Sequence, residues 1–137
     1  MLQTIVVVGA SLAGLRAAET LRAEGFDGRL VLVGAEQHLP YDRPPLSKQL
    51  LAGACSVDQI ALRNDGYDDL SLELELGRRA TALDVNGRRV ELDGGQWLSF
   101  DGLVVSTGAV PRALPGTPPL EGIHLLRTLD DSLAIKA

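Results

Sequence analysis

Hydrophobic and polar positions alternate between two distinct regimes along this chain, and the change between them organises everything else. Thr4-Ile5-Val6-Val7-Val8 is a near-continuous run of β-branched apolar residues, the pattern of a strand buried on both faces. It stops at Gly9, and Leu12, Leu15, Ala18 and Leu21 then recur at helical spacing until Gly25, a residue suited to ending a helix. Leu30-Val31-Leu32-Val33 reads as a second buried strand closed by Gly34. From Leu72 the regime changes: Leu72, Leu74 and Leu76 alternate with glutamates, as in a strand with one face exposed. Ala80–Val85, Arg88–Leu92 and Gln96–Phe100 continue as short strands, with Asn86-Gly87 and Asp93-Gly94-Gly95 between them as turn signals. Gly102-Leu103-Val104-Val105-Ser106 returns to the buried pattern, and Thr128 with Asp131 has the spacing of a capping box at the start of a last helix.

These elements predict an α/β chain. Residues 1–34 form a βαβ start, residues 72–100 an inserted antiparallel meander, and residues 102–109 a strand returning to a doubly wound sheet. Residues 35–47 are a polar loop stiffened by Pro40, Pro44 and Pro45; Ser47 is expected to cap a short helix running to about Leu51 and ended by Gly53. Residues 110–137 are a proline-rich connection followed by a helix that has barely begun at Ala137, so the chain reads as cut off inside a larger protein.

The order strand, glycine turn, helix, strand also carries chemistry. Backbone N–H groups and the positive end of a helix dipole converge where Gly9-Ala10-Ser11-Leu12-Ala13-Gly14 joins strand to helix, which is where a diphosphate can sit. The dinucleotide fingerprint has glycine at its middle position, and here that residue is Ser11, small enough to allow the same close approach. Glu36 lies 22 positions beyond Gly14, close to where an acid reaches the adenosine ribose hydroxyls, and a carboxylate there argues against a 2′-phosphate. Thr107-Gly108, after the returning strand, reads equally as a second ligand contact or as a simple strand-ending turn.

Composition removes several other functions. With 137 residues, 45% hydrophobic and 23% charged, the chain fits one soluble globular domain, and its net charge of −5 offers nothing to nucleic acid. No apolar run is long enough to span a bilayer, and the first strand starts almost at Met1, leaving no room for a signal peptide, which points to the cytoplasm. Cys55 is the only cysteine, so a redox-active cysteine pair within the chain is excluded. His38 and His124 have no metal-ligand spacing with acids or with Cys55, and no metal site is expected. Tyr41 and Trp97 read as packed aromatics, and Lys48, by spacing alone, as a surface lysine.

The glycine turn, Pro40-Tyr41-Asp42-Arg43-Pro44-Pro45-Leu46-Ser47-Lys48, Ser106-Thr107-Gly108-Ala109-Val110-Pro111-Arg112 and Leu125-Leu126-Arg127-Thr128-Leu129-Asp130-Asp131 occur in one order. In them the chain resembles, over essentially its whole length, the start of the flavoprotein ferredoxin reductases that serve oxygenases, the putidaredoxin- and rubredoxin-reductase-like family. The resemblance implies a Rossmann-like FAD-binding domain in three layers and a non-covalently held FAD. Gly9, Ser11, Leu12, Ala13 and Gly14 would cradle its diphosphate and Glu36 its ribose. Ala80 would meet adenine through its backbone, Arg43, Thr107, Gly108 and Arg127 would contact the cofactor, and Lys48 would stand near the reactive edge of the isoalloxazine as the catalytic residue. Many relatives carry an acid at both positions after the strand glycine; here the first is Ala35, so the ribose contact rests on Glu36 alone. The resemblance further implies electron flow from NAD(P)H through FAD to a ferredoxin or rubredoxin-type iron–sulfur protein, with the NAD(P)H domain beyond Ala137. The residues leave two other classes open: a module that holds FAD or NAD without chemistry, and a related flavoprotein with a different acceptor.

Overall fold

A computed structural model describes residues 1–137. They form two compact units: Met1–Pro40 with Arg63–Thr107, and Tyr41–Leu62 with Gly108–Ala137.

The first unit is built on β1 (Thr4–Val8), α1 (Leu12–Ala23), β2 (Arg29–Gly34), β3 (Leu72–Leu76), β4 (Ala80–Asp84), β5 (Arg89–Leu92), β6 (Gln96–Ser99) and β7 (Gly102–Val105). Four strands make an all-parallel sheet in the order β3-β2-β1-β7, and three make an antiparallel sheet in the order β4-β5-β6. The two-residue period of β1 and β2 decides how these layers stack. Ile5, Val7, Leu30 and Leu32 point to one face and pack with Ala18 and Leu21 of α1. Val6, Val8, Val31 and Val33 point to the other and pack with Val90, Leu92 and Leu98 of the antiparallel sheet. The three layers are thus a helix, a parallel sheet and an antiparallel sheet. A one-residue slip in either central strand would turn each apolar set toward the wrong layer.

One sequence expectation is corrected here. Leu72–Leu76 does not open the antiparallel meander; it joins the parallel sheet beside β2, in the register Leu30↔Leu72 to Gly34↔Leu76, and the meander begins at Ala80. Alternation of leucine with glutamate marks a strand with an exposed side, which an edge strand of a parallel sheet shares with a meander. Arg29 and Glu73 pair across this edge at 2.8 and 2.7 Å. Arg22 ties the segment before β3 to the end of α1. Its guanidinium donates to the carbonyls of Leu70, Phe26, Gly28 and Ser71.

The second unit has its own apolar cluster of Tyr41, Leu46, Leu50, Ile60 and Leu129, which explains why the proline-rich loop is more than a connection. Within it, Pro44–Ser47 is a 3-10 turn with Pro44 at its start, so Ser47 ends this element instead of capping a helix. Two prolines with fixed φ start the turn at Pro44, and Lys48 leaves helical geometry at once, with φ −134° and ψ −104°. The last element, α2 (Leu129–Lys136), starts with the expected box: Thr128 Oγ1 accepts from Asp131 N at 3.1 Å, and Asp131 Oδ2 accepts from Thr128 N at 2.8 Å.

Candidate functional site

The chain runs β1, β2, β3 outward in one direction and then returns to place β7 on the opposite side of β1. The carboxyl ends of β1 and β7 therefore flank the point where strand order reverses, the place where open α/β sheets hold ligands. Both ends carry residues singled out in the sequence. Gly9 follows β1 with φ +115°, and its amide donates to Val33 O at 2.8 Å. Ser106 follows β7, donates its amide to Val8 O at 2.8 Å, and directs its hydroxyl at the carbonyls of Val8 and Gly9, each 3.1 Å away.

The turn is too tight for side chains. A Cβ on Gly14 would fall 1.8 Å from Gly9 O, and one on Gly9 would fall 2.1 Å from Ser106 O. Gly34, at the end of β2, is equally constrained, because a Cβ there would fall 2.6 Å from Ala10 Cβ. Together the glycines let the start of α1 press against the strand ends. The first turn of α1 contains no acid, and Ser11, its N-cap, spends no side-chain oxygen on capping. Leu12 and Ala13 are exposed there. A 12-residue helix thus presents its positive end and its first-turn amides to an open surface. This is the donor set a diphosphate requires, so the residues present fit a dinucleotide. Glu36 stands two residues past β2, half-buried, with its carbonyl accepting from Gly77 N at 2.9 Å. Ala80 opens β4 and packs at the margin of the core, and Thr107 is exposed.

Within the second unit, the resemblance residues Arg43 and Arg127 meet. Arg43 Nη1 donates to Arg127 O at 2.8 Å and to Tyr41 Oη at 3.0 Å, and its guanidinium lies 5.1 Å from the Tyr41 ring centre. Tyr41 Oη in turn accepts from Leu129 N, at the first turn of α2, at 2.9 Å. The Arg127 amide donates to Asp131 Oδ2 at 2.9 Å. Its guanidinium passes Gly108 so closely that a Cβ on Gly108 would lie 3.0 Å from Nη2. The hydrogen bonds from the Thr128 and Arg127 amides hold the Asp131 carboxyl below the usual carboxylate range. Lys48 is exposed, its ammonium 3.4 Å from both Pro44 O and Ser47 Oγ. It stands in an open depression of about 670 Å³ lined by Ser47, Lys48, Gln49, Leu51, Ala52 and Ala54.

The two aromatics differ from each other. Tyr41 is buried, as expected, yet its hydroxyl is the hub joining Arg43 to α2, a role no spacing in the sequence signals. Trp97 is 39% exposed instead of packed, with the Arg89 guanidinium stacked 4.6 Å from its ring centre. Cys55 is a free thiol beside the second cluster.

A strand-ending glycine turn, a close-packed helix start and a reversal of strand order define an α/β fold of Rossmann type. Comparison with known proteins specifies the family. The pyridine nucleotide-disulphide oxidoreductase profile matches residues 3–137, and the chain belongs to that family. It is 42% identical over 129 residues to the ferredoxin reductase component of chlorobenzene dioxygenase from Cupriavidus sp. (strain PS12), covering 93% of this chain and 31% of that protein. It is 38% identical to putidaredoxin reductase of Pseudomonas putida, covering 96% of this chain and 32% of that one. Among solved structures, the covalent putidaredoxin reductase–putidaredoxin complex superposes with a TM-score of 0.91 at 37% identity, over 98% of this chain and 33% of that one. The chain therefore spans about a third of the length of the relatives it matches.

Proposed function

We propose that this chain forms the FAD-binding segment of an NAD(P)H-dependent reductase that passes electrons to a ferredoxin- or rubredoxin-type iron–sulfur protein. The observation that carries the reading is the turn at Gly9 and Gly14, where backbone packing leaves no space for a Cβ and the first turn of α1 faces outward without an acid of its own. Similarity to several ferredoxin reductase components, at 37–42% identity over nearly the whole chain, supports the choice of cofactor and acceptor.

In this reading the first unit holds the adenosine diphosphate half of FAD. Amides of Ser11, Leu12 and Ala13 donate to the diphosphate, and Gly9 and Gly14 keep the approach open. Glu36 accepts from the ribose hydroxyls, Ala80 meets adenine through its backbone, and Thr107 contacts the cofactor. By the resemblance, Arg43, Gly108 and Arg127 would also contact FAD, and Lys48 would supply positive charge near the reactive ring edge. When bound, the flavin supplies the ability to take two electrons together and release them singly. The protein's part is orientation and electrostatics: an ammonium beside the ring favours its reduced, negatively charged form. NAD(P)H and the iron–sulfur protein are the substrates of the whole reductase.

The test is optical. The protein should be yellow as purified or take up added FAD, with a structured flavin band, and NADH with a ferredoxin should drive acceptor reduction in the complete enzyme. A folded protein that stays colourless in excess FAD would overturn the proposal.

A further inference from the structure

We propose that Ser106 is a positioning residue for the diphosphate cradle, acting through the carbonyl of Gly9; this deepens the FAD-binding reading and rests on it. The Ser106 hydroxyl lies 3.1 Å from Gly9 O and 3.1 Å from Val8 O, so its single proton is shared between two carbonyls. Gly9 is thereby held at both of its polar atoms, its amide on Val33 O and its carbonyl on Ser106.

The Gly9 carbonyl is also the atom that fills the space left by Gly14, since a Cβ there would fall 1.8 Å from it. It belongs to the Gly9–Ala10 peptide, which is trans and planar. Holding the carbonyl toward Ser106 therefore turns the Ala10 N–H away from it and sets the plane from which Ser11 and the first turn of α1 depart. At φ +115° Gly9 has wide conformational freedom of its own, and an external partner is needed to hold one orientation of this peptide. The Ser106 side chain is placed to do so because its own amide extends the β1–β7 ladder by one residue. Rigidity at this plane means that the cradle's donors do not have to be ordered when the ligand arrives, which favours binding of a group that contacts them.

Ser106→Ala and Ser106→Thr in the full chain test this. The alanine variant should fold with the same far-ultraviolet circular dichroism yet bind FAD about five- to tenfold more weakly, the worth of one ordinary hydrogen bond. ADP-ribose, which shares the diphosphate and lacks the flavin, should weaken by the same factor. The phosphorus resonances of bound FAD should shift in Ser106→Ala and return in Ser106→Thr, with the flavin absorption band unchanged. Without ligand, the Ala10 and Ser11 amides should exchange hydrogen faster in the alanine variant than in the threonine variant. Wild-type affinity, unshifted phosphorus resonances and unchanged exchange in Ser106→Ala would overturn the inference while leaving the FAD reading intact. Failure of the unaltered protein to bind FAD overturns that reading and this inference with it.

Discussion

At the scale of single residues, Gly14 and Lys48 stand at opposite ends of what a side chain can contribute. Gly14 acts by lacking one. Gly14→Ala places a methyl on a backbone carbonyl that Ser106 also holds, so neither partner can retreat cheaply. The variant is expected to lose about 3 kcal/mol of stability, at the upper end for overpacking, and to lose FAD uptake, both readable from urea unfolding and the visible spectrum. Lys48 acts through charge. It is exposed and is held only by long contacts to Pro44 and Ser47, so a ligand can recruit it at small cost. Lys48→Met should move the flavin reduction potential to a more negative value and Lys48→Arg should largely restore it. An unchanged potential in a spectroelectrochemical titration would remove Lys48 from the cofactor's reactive edge.

At the scale of elements, the start of α2 carries the clearest consequence. Thr128 and Asp131 satisfy each other's amides, and the same carboxylate takes the Arg127 amide, so helix start and candidate FAD contact are set by one group. Thr128→Ala should cost about 1 kcal/mol and Thr128→Ser much less, as for other N-caps, measured by thermal or urea unfolding. Tyr41→Phe should cost about as much or somewhat more, because it leaves the buried Leu129 amide without its acceptor. The capping box was legible in the sequence, since it is a local pattern spanning four residues. The tyrosine's role was not, because Leu129 is 88 positions away along the chain. The start of the meander differs from the sequence pattern for a similar reason. Alternating leucine and glutamate specify a half-exposed strand, but hydrogen-bond partners and strand direction come from elsewhere in the chain.

At the scale of the whole molecule, several carboxylates are bound more tightly as anions in the folded state than in an unfolded chain. Asp101 accepts from the Gln3 and Thr4 amides at 2.9 Å each, Asp84 from the Gly87 amide and then Arg89, and Glu73 from Arg29. Each, like Asp131, has its pKa lowered by those partners. A lowered folded-state value means that the stabilisation is fully present above the unfolded carboxylate pKa and disappears as pH falls through the folded one. The thermal midpoint should therefore hold level between about pH 6 and 8 and decline as pH drops below about 4. Asp101→Asn should flatten part of that decline, and a midpoint independent of acid would contradict the assignment. No helix is long and apolar enough to cross a bilayer.

What the amino-acid order determined by itself was what near neighbours govern: the buried strands β1 and β2, α1 and its glycine stop, the capping box, and a glycine turn suited to a diphosphate. The buried pattern of Gly102–Ser106 is not realised: β7 is half-exposed, with Val105 65% exposed, because it lies at the edge of the sheet. Hydrophobic period and backbone sterics act over a few residues, so they can be read without a fold. Tertiary structure alone decided that β3 joins the parallel sheet, that the proline-rich loop nucleates a second apolar cluster, and that Ser106 and Tyr41 hold the backbone of distant segments. Those outcomes depend on which strand edges and carbonyls meet after the chain has crossed back on itself, and pairing partners separated by close to a hundred positions leave no local pattern.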